Sequence, residues 1–335
     1  MPPLALPPDE QPPDLYVEQS LNIEEEFLPW ANGDSPGSTR LRSVVGSPGC
    51  GKSTFITRFR LALEVEGIPV LWLDLNSPDV DLATFLNDLP VGRVVLLVDG
   101  FEDVSEVLRG TVEAKLLLFL FPSGEPANLR YAVVARRDED GLQEAQLRWE
   151  DEIYSLEGLD ATREDGPTEL IRRRLAAVAA DRAGARVILA WEDEDEALPH
   201  AAVDFVCTLD DEGRQAFCED LNSPNPYLNL ALLRRKLQHA PTALEDADFY
   251  AALASYVRRA GLPKDFCHKL IALGSRIDAH GEMSLTDYTS DGGQAAELEA
   301  LIAAGIIARP TPALYRVEPA VYRFISRLSP APATP

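Results

Sequence analysis

Eight consecutive residues, Gly46-Ser47-Pro48-Gly49-Cys50-Gly51-Lys52-Ser53, carry the most specific chemistry in the chain, because they fit the pattern GxxxxGK followed by Ser or Thr. Glycines at this spacing let backbone N–H groups wrap a phosphate, and the helix N-terminus that follows adds partial positive charge. In such a loop Lys52 bridges the β- and γ-phosphates of a nucleotide and the Ser53 hydroxyl ligates Mg²⁺, while Thr54 is placed to reach the α-phosphate. The alternative is a chance glycine turn. The apolar, strand-like run before the loop and the helix-like run after it are the context that phosphate binding requires.

A second carboxylate-bearing segment fits the first. Val94-Val95-Leu96-Leu97-Val98 is a buried strand pattern ending in Asp99, 47 residues after Lys52. Parallel strands deliver their C-terminal ends to one edge of a sheet, so Asp99 is expected beside the Mg²⁺ shell as a Walker-B aspartate, although a lone Asp after a strand is also a common turn former. No asparagine is followed by lysine, so the guanine-selecting pattern NKxD is missing and adenine is the expected base. ATP or ADP with Mg²⁺ is therefore the expected cofactor set.

The residues after Asp99 are Gly100-Phe101-Glu102-Asp103. A catalytic glutamate directly after the aspartate, the AAA+ arrangement, is replaced here by glycine, with acids three and four positions on. This DGFED run resembles the NACHT-type members of the STAND class of signal-transduction ATPases, a class that also includes the NB-ARC proteins. The resemblance implies that Glu102, or secondarily Asp103, orients or deprotonates the attacking water; both acids could instead cap the following helix. It also implies that one of Arg136 and Arg137 at the end of the strand Tyr131–Ala135, with Arg137 preferred, senses the γ-phosphate. Either arginine could instead neutralise the acids that follow. Ser223-Pro224-Asn225-Pro226-Tyr227 resembles the lid motif of these proteins, which would set Pro226 against the adenine ring, although Pro is also simply a good first residue of a helix. One departure stands out: where NB-ARC relatives carry Met-His-Asp, this chain has Arg316-Val317-Glu318-Pro319, with no histidine.

Around these motifs, short β-rich runs alternate with helical stretches from Leu41 to about 158, which predicts an α/β domain with a five-stranded parallel sheet of the P-loop NTPase type. The strand signal is lost over 161–240. From 245, three helical patterns are followed by two short strands around a turn, which suggests a winged helix. The expected organisation is a Pro-rich tail at 1–13, a P-loop domain at 14–160, a helical lid at 161–244, a winged-helix domain at 245–328 and a tail at 329–335.

The chain has 335 residues, 46% hydrophobic and 26% charged, enough for two or three ordinary globular domains. Its 31 Lys+Arg against 55 Asp+Glu give a net charge of −24, which disfavours phosphate backbones and anionic membranes as partners. Residues 277–308, which include the would-be recognition helix, hold six acids and no Lys or Arg. The apolar runs are too short to span a bilayer, and the four cysteines form no CxxC pair, so a cytoplasmic, membrane-free protein is expected.

The STAND resemblance implies a nucleotide-controlled conformational and assembly switch that hydrolyses ATP slowly, forms nucleotide-dependent homo-oligomers, and works with an effector or sensor protein in trans, in signalling or defence. Two alternatives remain at this stage. One is an initiator- or loader-like AAA+ ATPase that grips DNA through its winged helix. The other is a small-molecule kinase built on the same loop.

Overall fold

The computed structural model describes residues 21–34, 39–77, 92–101, 104–121, 130–137, 152–156, 158–159, 166–191, 198–238, 244–290, 295–311 and 313–329. Of these, residues within Gln19–Gly46 and Gly51–Leu156 form one compact unit, the sheet unit. Those within Ser47–Cys50 and Glu157–Pro335 form a second, the helical unit.

In the sheet unit a π turn over Ile23–Phe27 runs into α1 (Leu28–Ala31), followed by β1 (Leu41–Val45), α2 (Lys52–Val65), β2 (Val70–Asp74), β3 (Val94–Asp99), α3 (Glu106–Leu120), β4 (Arg130–Arg136) and β5 (Glu152–Ser155). The strands pair in parallel in the order β2-β3-β4-β1-β5. All five strands read from the sequence are present; the helix expected near 81–88 lies outside the described residues. β1 and β3 are buried along their whole length; β3 reads accordingly as an unbroken apolar run up to Asp99, whereas β1 buries Arg42 and Ser43 among its apolar residues.

Period-two alternation sends Val94, Leu96 and Val98 of β3, with Ala132 and Val134 of β4, into a cluster with Val112, Leu116 and Phe119 of α3. Val95, Leu97 and Val133 face the other way, and Phe55 and Phe59 of α2 meet Phe27 edge-on at centroid separations of 4.9 and 5.5 Å. Arg42 is buried among the Phe27, Trp30 and Tyr154 rings, 5.1, 4.7 and 4.8 Å from their centroids. It is neutralised by Glu152, which accepts from its Nε at 2.9 Å.

The helical unit contains α4 (Pro167–Ala180), α5 (Ala185–Ile188), α6 (His200–Thr208), α7 (Asp211–Cys218), α8 (Pro226–Gln238), α9 (Asp246–Arg259) and α10 (Asp265–Leu273). These are followed by β6 (Glu282–Ser284), α11 (Leu285–Ser290), α12 (Ala295–Ala303), β7 (Ile307–Thr311), β8 (Leu314–Val317) and α13 (Pro319–Leu328). The three strands form an antiparallel sheet in the order β6-β8-β7, and with α10 to α12 they give a winged-helix-like region. Three-residue β6, α11 and α13 add to the two strands and three helices read from the sequence. α13 buries Ala320, Val321, Phe324 and Ile325, one stripe at helical spacing. A continuous apolar cluster extends from Ile171 in α4 to Ile325 in α13, so helices α4 to α8 and the winged-helix-like region share a core.

Candidate functional site

The strand order decides what meets at the C-terminal edge of the sheet. β4 lies between β1, which leads into the glycine loop, and β3, which ends in Asp99. Gly46 donates its N–H to the Arg136 carbonyl at 3.2 Å, which continues the β1–β4 ladder into the first residue of the loop. At the other end of the loop, Gly51 has φ +109°, a conformation disfavoured for a side chain with a Cβ, and α2 starts at the next residue. Lys52 is buried and its ammonium donates to the Gly46 carbonyl at 2.8 Å, so the cation folds back over the loop. Ser53 is exposed and Thr54 half-buried in the first turn of α2. Asp99 is buried, and its Oδ1 accepts from the Gly100 N–H at 2.9 Å.

Gly100 follows Asp99 with φ +74°, a left-handed conformation that disfavours any residue with a Cβ, an acid included; a Cβ there would also meet the tip of the exposed Asn76 side chain, two residues past β2. Asn76 has no marker in the sequence; it follows the end of β2, whose last residue, Asp74, pairs with Asp99. Glu102 and Asp103 lie outside the described residues. The helix that follows is capped by Ser105, whose Oγ accepts from the Leu108 N–H, and starts at Glu106. Its cap is therefore supplied without the two acids.

The middle of the glycine loop, Ser47–Cys50, is bonded into the helical unit. Asn225, almost completely buried, accepts with Oδ1 from the N–H groups of Tyr227 (3.1 Å) and Leu228 (3.2 Å), which caps α8. Its Nδ2 donates to the Pro48 carbonyl at 2.9 Å and to Oε1 of Glu318 at 3.1 Å. The Tyr227 N–H reaches the Gly49 carbonyl at 3.4 Å. Gly49 has φ +75°, and a Cβ on it would stand 2.5 Å from Cβ of Tyr227. The Ser47 hydroxyl donates to Oε1 of Glu318 at 2.8 Å, and the Tyr256 hydroxyl donates to Oε2 at 2.6 Å. Burial, reinforced by the Glu318 charge, raises the Tyr256 phenol well above the ordinary tyrosine value, so it stays a donor.

Pro226 occupies the first position of α8, half-buried. The approach to it is fixed by Gly158 and Leu159: Leu159 donates to the Pro224 carbonyl at 2.8 Å, and Gly158, at φ +90°, leaves no room for a Cβ beside that carbonyl. Arg136 is the last residue of β4 and is buried on the face shared with Ala132 and Val134, whereas Arg137 follows the strand and is half-buried. In the winged region Arg316 pairs with Glu282, and Arg327 pairs with Asp246 at 3.0 Å. Arg323 donates to the Asn222 carbonyl at 3.1 Å.

The residues present fit a magnesium-bound nucleotide in three respects: a loop with two positive-φ glycines, a buried lysine at the start of α2, and a buried carboxylate two strands away on the same sheet edge. The chain has the P-loop NTPase fold. No protein-family model matches it, and no curated protein matches its sequence.

Among solved structures, it is similar to the Walker-type ATPase of Pyrococcus abyssi (TM-score 0.45, 13% identity, 94% of this chain and 99% of the other). It is also similar to a point variant of RuvB from Thermotoga maritima (0.43, 17%, 95% and 97%) and to Cdc6p from Pyrobaculum aerophilum (0.38, 12%, 95% and 96%). Among the described residues no helix is long and apolar enough to cross a membrane.

Proposed function

We propose that this chain binds ATP and ADP with Mg²⁺ and acts as a nucleotide-driven switch of the AAA+/STAND kind. The supporting observation is the bonding of Ser47–Cys50 to Asn225, Tyr227 and Glu318. An anion wrapped by the loop changes the partners of residues as much as 271 positions away in the chain.

In this reading Lys52 and the loop amides hold the phosphates, Ser53 and Asp99 hold Mg²⁺, and Pro226 lies against the adenine. Mg²⁺ supplies charge stabilisation on the phosphates. Glu102 orients the attacking water, with Asp103 as second candidate, and Arg137 reads the γ-phosphate. ATP therefore makes contacts to Lys52, the metal and Arg137 that ADP cannot make, and a switch is biased only by such a difference. Hydrolysis resets the state. Output passes through an effector or sensor protein, as the STAND resemblance of the DGFED run implies, and the ATP form self-assembles.

The β7–β8 pair that follows α12 supports a second reading, an initiator- or loader-like ATPase that grips DNA with its winged region. Against it stand the acidic 277–308 segment and the engagement of Arg316, Arg323 and Arg327 with groups of this chain.

Native mass measurements with MgATP and with MgADP, alongside duplex-DNA binding across a salt series, separate the two. The switch reading expects larger assemblies with ATP alone and no salt-dependent DNA binding. Affinity for DNA that falls steeply with salt, without a nucleotide-dependent change in mass, would replace it with the second reading.

A further inference from the structure

Glu318 stands between β8 and α13, and its backbone is pinned by the donation of its N–H to the Ile306 carbonyl at 3.0 Å. Its two carboxylate oxygens accept from the Ser47 hydroxyl and Asn225 Nδ2 at Oε1 and from the Tyr256 hydroxyl at Oε2. Tyr256 is fully buried and Asn225 nearly so, so both donors are rigidly held and would lose a partner if the carboxylate left. Ser47 belongs to the glycine loop, whose next two residues take the Asn225–Pro48 and Tyr227–Gly49 bonds. The contact places a negative charge against the loop whose amides suit an anion.

We propose that Glu318 is an anionic latch: its carboxylate holds Ser47–Cys50 in place, and a phosphate entering the loop must displace it. The proposal rests on the phosphate-binding reading of the loop. Its sign follows from charge. A carboxylate bonded to the Ser47 hydroxyl opposes by its charge a phosphate that approaches the amides of that loop, so the latch weakens nucleotide binding and release of the latch accompanies binding. The winged region thereby senses the loop through one residue, without a histidine at this position.

The test uses the full chain with Glu318→Gln, which removes the charge and keeps the shape, and Glu318→Ala, which removes both. Thermal melts confirm folding. Amide hydrogen exchange at Ser47, Gly49 and Cys50 is read without added nucleotide, and MgADP affinity is read by calorimetry. The latch predicts exchange faster by about tenfold in Glu318→Ala, and MgADP bound about tenfold more tightly by both variants, within the usual range of coupling between two sites. Unchanged exchange in Glu318→Ala, or affinity equal to or weaker than wild type in both variants, overturns it. If none of the three proteins binds MgADP, the nucleotide reading and the competition fall together, while hydrogen exchange still decides whether Glu318 holds the loop.

Discussion

Asn225 donates from Nδ2 to the carbonyl oxygen of Pro48 across 2.9 Å, joining positions 177 residues apart. The same side chain caps α8 with its other atom, so one buried carboxamide fixes both the start of a lid helix and the crown of the glycine loop.

Removing that side chain should therefore cost two contributions. Asn225→Ala is expected to lower unfolding stability by about 2 kcal/mol, roughly half from the lost cap and half from the lost hydrogen bond. Asn225→Asp keeps the cap acceptor but loses the donor and faces Glu318 with a like charge, so it should loosen the loop while α8 persists. Urea unfolding and helix content check both; wild-type stability in Asn225→Ala would count against the assignment.

Two glycines with nearly equal φ provide a controlled comparison. Gly49 (φ +75°) is crowded by Tyr227, whereas Gly67 (φ +70°) has nothing within 4 Å of a built Cβ. Gly67→Ala should cost only the left-handed strain, about 1 kcal/mol, and Gly49→Ala should cost clearly more. Equal costs in denaturant unfolding would show that the loop does not rest on Tyr227.

Asp99 is assigned to the metal and not to the phosphates. Asp99→Asn should reduce nucleotide affinity in the presence of Mg²⁺ and leave metal-free affinity nearly unchanged, and EDTA should bring wild type towards the variant. Calorimetry with and without the metal reads this, and equal Mg²⁺ dependence in both proteins would refute it.

Alkaline pH should destabilise the helical unit through its buried thiols. Burial pushes Cys218 up to about 12 and Cys267 up to about 11. Unfolded thiols ionise near 8.5, so the stability that these groups contribute is complete below that pH and is lost as pH rises through the folded values. Melting temperature should fall above pH 9, and Cys218→Ala should flatten the slope.

Much of this arrangement is visible in the chain. The unbroken apolar run of β3 and the β-rich runs that alternate with helical stretches announce a buried parallel sheet, and the spacing from Lys52 to Asp99 announces one functional edge. The strand order is not visible, because the β4–β1 pairing depends on tertiary packing and not on local pattern. β6 is hidden for a different reason: three residues carry no periodicity.

The lid motif around Pro226 drew attention to the proline, yet the neighbouring Asn225 carries the loop contacts. Likewise the missing histidine drew attention to Arg316–Pro319, where Glu318 reaches Ser47. Hydrogen bonds across 93 or 271 positions leave no signature in sequence spacing. Gly100 was legible as a departure from the AAA+ pattern, but the left-handed backbone that favours a glycine there was not.

The most direct test of the account is nucleotide binding by wild type and Lys52→Ala, with matched thermal melts and with any co-purified nucleotide released by denaturation and identified by chromatography. The account predicts adenine nucleotide on wild type and affinity lost by at least tenfold in the variant. Equal binding by both proteins, or none by a folded wild type, would contradict it.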